Sequence, residues 1–110
     1  MDIIVDEVGD VRAVRIGGNL DTQTSTVAQE QLTQLIDNGA TKILIDFEEL
    51  NYISSSGLRV LLVAAQRLKD TSGQLRICSP NTMVREVFDT AGFSEIFSVY
   101  SSQAEALDGF

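Results

Sequence analysis

The sequence predicts an α/β fold: one domain with a mixed β-sheet of about five strands, an N-terminal antiparallel hairpin and about four helices. Three observations lead there. Short β-rich segments alternate with stretches of helical apolar spacing, and such alternation calls for right-handed crossovers between parallel strands. Gly39, Gly73 and Gly92 each stand where a helical stretch gives out, which is the usual place for a helix to stop. At 110 residues the chain can bury one core but not two, so residues 1–110 form a single domain.

The elements follow in order. "DIIVDEVGDVRAVRIGG" reads as strands over residues 3–7 and 11–16, with Gly9 and Asp10 at the turn between them. In "LDTQTSTVAQEQLTQLIDNG", Ala28, Leu32, Leu35 and Ile36 share one helical stripe behind a run of Asp and Thr suited to capping. "KILIDF" is a short unbroken apolar run, as in a strand covered on both faces. "EELN" reads as an acidic turn, and a helix is expected over residues 57–71. Leu58, Leu61, Leu62, Ala65 and Leu68 form its inner face, with Val60 and Val63 on a second face, buried or open to a partner. "QLRICS" is the next strand. Ser79 is the expected cap and Pro80 the first helical position of a helix whose stripe is Val84, Val87, Phe88 and Ala91. A strand over residues 96–99 and a tail helix at Gln103–Leu107, capped by Ser101 or Ser102, complete the series.

Composition excludes several classes of function. The net charge of −8 and the scattering of only eight Lys and Arg argue against nucleic acid, whose phosphates need clustered cations. A basic partner suits this chain better. Asp2 directly after Met1 leaves no basic, apolar signal segment. The longest apolar run, residues 60–65, is far short of the ~20 residues that cross a bilayer, so no membrane insertion is expected. Cys78 is the only cysteine and reads as a small strand residue, which fits a cytoplasmic protein without disulfides. There is no histidine, and with it go the Ser-His-Asp triad, the Cys-His pair and imidazole metal sites. Neither cofactor nor metal is expected, and the chain reads as a non-enzyme.

The segment "YISSSGLRVLL" carries the functional question. Ser54, Ser55 and Ser56 stand before an apolar helix, where a hydroxyl commonly caps free N–H groups. Capping needs one serine and here there are three, followed by Gly57, which leaves the hydroxyls without side-chain cover. A nucleophilic serine would need a base, and Lys42, Lys69 and the carboxylates stand at no recognisable spacing. "RIGGN" lacks the G-x-x-x-x-G-K-[ST] pattern of a phosphate loop, and a glycine pair ending a strand reads as a turn. Phosphorylation by a kinase remains, since a phosphate at a helix N-terminus meets unpaired N–H groups and the positive end of the dipole. Asp46, Glu48 and Glu49 lack the spacing of a calcium loop and read as a solvated turn. In an open α/β sheet the loops beyond the strands' carboxyl ends gather at one edge, which would bring Asp21 near Ser55.

"GGNLDTQT", "KILIDFEELNYISSSGLRVLL" and "LRICSPNTMVREVFDTAGF", in this order, resemble the STAS domain, specifically the bacterial anti-sigma factor antagonists, over essentially the whole chain. The resemblance implies a partner switch. The unphosphorylated antagonist captures an anti-sigma factor that is also a serine kinase, so the sigma factor goes free. The kinase then phosphorylates the antagonist with ATP, and a serine phosphatase resets it. The family's acceptor falls on Ser55, with Ser54 and Ser56 as alternatives. Ser54 stands where the motif has aspartate. The matching partner surface comprises Asp21, Thr22, Ser54, Ser56, Gly57, Leu58 and Arg59, with Leu58 and Val60 at an apolar rim. A second class of function is a STAS module without phosphorylation, as a scaffold or a subunit of a signalling or transport assembly.

Overall fold

The structure, a computed structural model, describes residues 2–110. Its elements are β1 (Asp2–Val8), β2 (Val11–Leu20), α1 (Ser25–Asp37), β3 (Lys42–Asp46), β4 (Leu50–Ile53), α2 (Ser55–Asp70), β5 (Gln74–Cys78), α3 (Thr82–Thr90), β6 (Ser98–Tyr100) and α4 (Gln103–Leu107), with one 3-10 turn at Phe93–Glu95. The strands lie in the order β1-β2-β3-β5-β6, and β4 pairs separately with β2. Only the β1/β2 hairpin is antiparallel; every other pairing is parallel. The mixed α/β sheet is as expected, with β4 as a sixth strand.

β2 organises this sheet by changing partner half-way along. Residues 12–15 pair with β3 and residues 18–20 with β4, the register shifting between Gly18 and Asn19. The glycine pair expected to make a turn lies inside the strand and permits that shift. A Cβ on Gly17 would stand 3.2 Å from the Cβ of Glu49, and Gly18 adopts a φ of +84° while donating to the Glu49 carbonyl at 2.9 Å. A bulge with glycine is the normal way to bend a strand without losing its ladder.

β3 is buried on both faces, as its apolar run predicts. Ile43, Ile45 and Phe47 join the core formed with α1, α2 and α3; Leu44 faces the other way, to Val11, Cys78 and Ala106 of a smaller cluster under α4. Each fully buried side chain of this size contributes ~1.5–3 kcal/mol. In α2 the burial is on Leu58, Val60, Leu61, Ala64 and Leu68, whereas Leu62 and Ala65, expected inside, are half-buried. The stripe is rotated because α1 packs against α2 from the side on which Val60 and Ala64 lie.

One cap differs from expectation. Ser79 has a φ of +60° and does not cap α3; Asn81 does, accepting from the Val84 N–H at 2.8 Å. Pro80 therefore precedes the cap instead of opening the helix. The Asn81 amide also donates to the Leu50 carbonyl at 3.0 Å, tying α3 to β4. Ser102, not Ser101, caps α4, accepting from Glu105 N–H at 3.2 Å. The last strand begins at Ser98 rather than at residue 96, because Phe93–Glu95 closes into the 3-10 turn.

The second face of the sheet is closed by a single cation. Arg76 on β5 donates to the carbonyls of Ala106, Asp108 and Gly109 at 2.9, 2.9 and 3.0 Å. Its guanidinium carbon lies 4.5 Å from the ring centre of Phe110 and 5.4 Å from that of Tyr100. A planar fork stacked on aromatic faces is a role lysine cannot take. Cys78 lies beneath, its thiol pushed up to about 11 by burial first and the Asp46 charge second. Arg76→Gln should therefore free α4 and make Cys78 alkylate several-fold faster with iodoacetamide at pH 8, while the wild-type thiol stays protected. The raised thiol also sets a sign for pH. The unfolded chain gives up this proton first, so stability should fall as pH rises from 9.0 towards about 11, and a Cys78→Ala variant should lose that slope in urea titrations.

Candidate functional site

The three serines take three different positions at the start of α2. Ser54 is extended, with φ −94° and ψ 173°, and is the N-cap. Its Oγ accepts from the Gly57 N–H at 3.2 Å, and its carbonyl accepts from Leu58 N–H at 3.0 Å. Ser55 is the first helical residue and is exposed; Ser56, next to it, is half-buried. The helix thus begins two residues before the expected Gly57.

Gly57 has a different function from the one its sequence position implied. It is buried, and a Cβ there would stand 2.8 Å from the Leu20 carbonyl oxygen, 2.8 Å from Ile53 Cγ1 and 2.9 Å from Leu20 Cγ. The glycine admits the backbone of β2 against the first turn of the helix, and does not serve to bare the hydroxyls. Leu58 and Val60, expected at the rim of a partner surface, are 6% and 3% exposed and belong to the core. Arg59 points outward between them.

The loop before α1 reaches the same place. The Leu20 carbonyl accepts from the Ser54 N–H at 2.9 Å, so the peptide leading into Asp21 is bonded to the residue preceding Ser55. Asp21 and the serine run are neighbours, as the sheet-edge argument anticipated. Asp21 Oδ1 accepts from Gln23 N–H and Thr24 N–H, each at 3.0 Å, and lies 3.1 Å from Thr24 Oγ1. The Asp21 N–H in turn donates to Thr24 Oγ1 at 2.9 Å. These bonds, the Thr24 amide foremost, hold the Asp21 carboxyl below the usual carboxylate range. They also fix the loop, leaving Thr22 and Gln23 exposed at its tip.

Tyr52 completes the surface and was not foreseen. It is 46% exposed and pairs in register with the exposed Asn19. β4 shows Leu50 and Ile53 inward with Asn51 and Tyr52 both outward, so the strict alternation that marks a strand in sequence is missing. Asp46, read as part of a solvated acidic turn, is 3% exposed; its Oδ1 accepts from Glu48 N–H at 2.9 Å, and its Oδ2 lies 3.8 Å from Arg15 Nε. Glu48 and Glu49 are exposed.

Residues 2–106, the span that carries this exposed serine at a helix start and the Asp21 loop beside it, match the STAS domain. The chain belongs to the STAS domain family. It is 32% identical over 110 residues to BtrV of Bordetella bronchiseptica, which carries a provisional anti-sigma factor antagonist name, covering 100% of this chain and 95% of that one. It is 29% identical over 98 residues to the anti-sigma F factor antagonist of Paenibacillus polymyxa, covering 88% and 84% of the two chains. Among solved structures, SpoIIAA, a Bacillus cell fate determinant, in its phosphorylated form superposes with a TM-score of 0.77 at 25% identity, covering 97% of each chain.

The local roles make two predictions. Ser54→Ala removes the cap and should cost ~0.5–2 kcal/mol in urea unfolding, and Gly57→Ala forces overpacking worth ~1–3 kcal/mol, while Ser55→Ala should change stability little. Asp21 contributes stability that is present above its ordinary carboxylate value and lost as pH falls through its lower folded value. Asp21→Ala should thus lower the melting temperature at neutral pH and leave the two proteins converging in acid.

Proposed function

We propose that this STAS domain is an anti-sigma factor antagonist that binds an anti-sigma factor serine kinase while unphosphorylated, releases the sigma factor by doing so, and is switched off by phosphorylation of Ser55. The observation that carries the proposal is the division of roles among the three serines. Ser54 Oγ is committed to the Gly57 N–H and Ser56 is half-buried, whereas Ser55 is exposed. The hydroxyl best presented to an incoming kinase is the one that the family's acceptor position matches. Relatives named as antagonists of anti-sigma factors, and one whose phosphorylated form is known, support the same reading.

The partner surface consists of the accessible groups around Ser55: Asp21 and Thr22 on the loop, Ser54 and Ser56 beside the acceptor, Arg59 on the first turns of α2 and Tyr52 on β4. Gly57 and Leu58 act from beneath by shaping the helix start. A phosphate on Ser55 adds about −1.5 to −2 charges and bulky oxygens to a surface of a chain already at −8. A partner site complementary to a bare hydroxyl loses both fit and favourable desolvation. The fold tolerates the dianion, because the helix dipole at that position favours it by ~0.3–1 kcal/mol. The switch therefore acts on binding and leaves the domain folded.

The role is regulatory and not catalytic, and its setting is the cytoplasm, where kinase, phosphatase and sigma factor are accessible. No helix among the described residues is long and apolar enough to cross a membrane.

Wild type, Ser54→Ala, Ser55→Ala and Ser56→Ala, incubated with the cognate kinase and ATP, should show phosphate in all but Ser55→Ala when mapped by mass spectrometry. Ser55→Ala should still bind the kinase. Ser55→Glu should melt within a degree or two of wild type yet bind poorly. Phosphate on Ser54 or Ser56 in wild type would move the switch by one residue, and phosphate on none with an active kinase would leave a scaffold role. Arg59→Glu should weaken kinase binding without lowering thermal stability.

A further inference from the structure

β1 is an edge strand, paired with β2 on one side only. Seven residues at ~3.4 Å each form a long edge, and all but Ile3 are exposed. Of the seven large apolar side chains that are exposed among the described residues, Ile4, Val5 and Val8 lie on this strand and Val27 on the adjacent helix. Long edges of this kind are normally blunted by charged side chains, above all lysine, by proline or by a bulge. β1 has no lysine, proline or bulge, and its charges are the three carboxylates Asp2, Asp6 and Glu7.

Each face of the strand opens on a cleft. On the side of α1, Val5, Val27 and Leu35 line a cleft of about 400 Å³ with Glu30 at its margin. On the opposite face Asp2, Ile4, Gly17, Gly18 and Glu49 line one of about 380 Å³, which Arg15 also borders. A strand added to an edge gains affinity from its backbone and selectivity from pockets that take alternate side chains. Here the pockets differ in kind: one offers Val5, Val27 and Leu35 between Gln31, Gln34 and Asn38, the other is glycine-floored with two carboxylates against one guanidinium.

We propose that the free edge of β1 is a docking site for an extended segment of a partner protein in which apolar and basic residues alternate, added to the sheet as a further strand. The apolar side chains enter the cleft over Val5 and Val27; the basic ones turn to Asp2 and Glu49. The charge of the edge selects this occupant over a second copy of the chain. Pairing β1 with itself brings six carboxylates into one ribbon on molecules that each carry −8, with no cation on either strand to offset them. This surface shares no residue with the Ser55 surface.

The test uses the full chain and, as probe, a short blocked peptide of alternating Val and Lys, compared with the same peptide N-methylated at every second residue. The unmodified peptide should bind with an affinity that falls steeply with salt and should slow hydrogen exchange of amides within residues 2–8. Asp6→Lys and Val5→Lys, both at exposed positions, should weaken it several-fold without changing the melting temperature. N-methylation, which keeps every side chain and charge but removes one hydrogen-bonding edge, should abolish protection of β1. Equal binding by the two peptides would overturn the proposal in favour of mere charge attraction. So would protection located on α3 instead of β1, absence of binding, or a dimer in sedimentation whose β1 amides are protected without peptide.

Discussion

The carbonyl of Leu20 is the point on which the site is hung. It accepts the Ser54 N–H at 2.9 Å and stands 2.8 Å from where a Cβ of residue 57 would be. One oxygen therefore joins the end of β2, the end of β4 and the first turn of α2. Three separate choices in the sequence serve this meeting: a glycine at 57, a capping hydroxyl at 54 and a strand that changes partner at Gly17 and Gly18. A side chain at 57 would push the helix off the strand and break the bond that aligns Ser54, and with it the geometry in which Ser55 faces outward.

From that junction the surface chemistry follows in order. Because Ser54 closes the helix, its hydroxyl is occupied and Ser55 is free. Because β2 ends against β4, the loop that continues from Leu20 is held beside the helix start, and the bonds from Asp21 to Gln23 and Thr24 make that loop a fixed shape. The apolar residues nearest the serines, Leu58 and Val60, are drawn inward to secure the helix, so the accessible surface is polar except for Tyr52. Such a surface discriminates by hydroxyl, charge and shape more than by hydrophobic area, which suits the phosphate-reversed interaction proposed for it.

Where apolar periodicity is strong, the elements can be read directly: the hairpin, β3 and α2 stand within four residues of their expected bounds, and α1 buries Ala28, Leu32 and Ile36 of its expected stripe. The failures were local and share a cause. β4 turns Asn51 and Tyr52 both outward at a register shift, so its alternation is broken at the one place a strand would be recognised. Gly17 and Gly18 look like a turn because their reason, Glu49, is more than thirty residues away in the chain. Ser79 and Pro80 resemble a helix start and mask Asn81, because the left-handed φ of Ser79 is not visible in the sequence. The serine run is legible as a helix start, yet which serine caps and which is exposed depends on Leu20, a contact no spacing rule contains.

The clamp formed by Arg76 has a consequence in time. Its three carbonyl partners are 30, 32 and 33 residues further along the chain. β1 to β5 can pair before those carbonyls are in place, and until then the smaller cluster of Val11, Leu44 and Cys78 lacks its cover. That apolar face is therefore the part of the domain most readily opened, and losing the clamp bares it while the larger core stays packed.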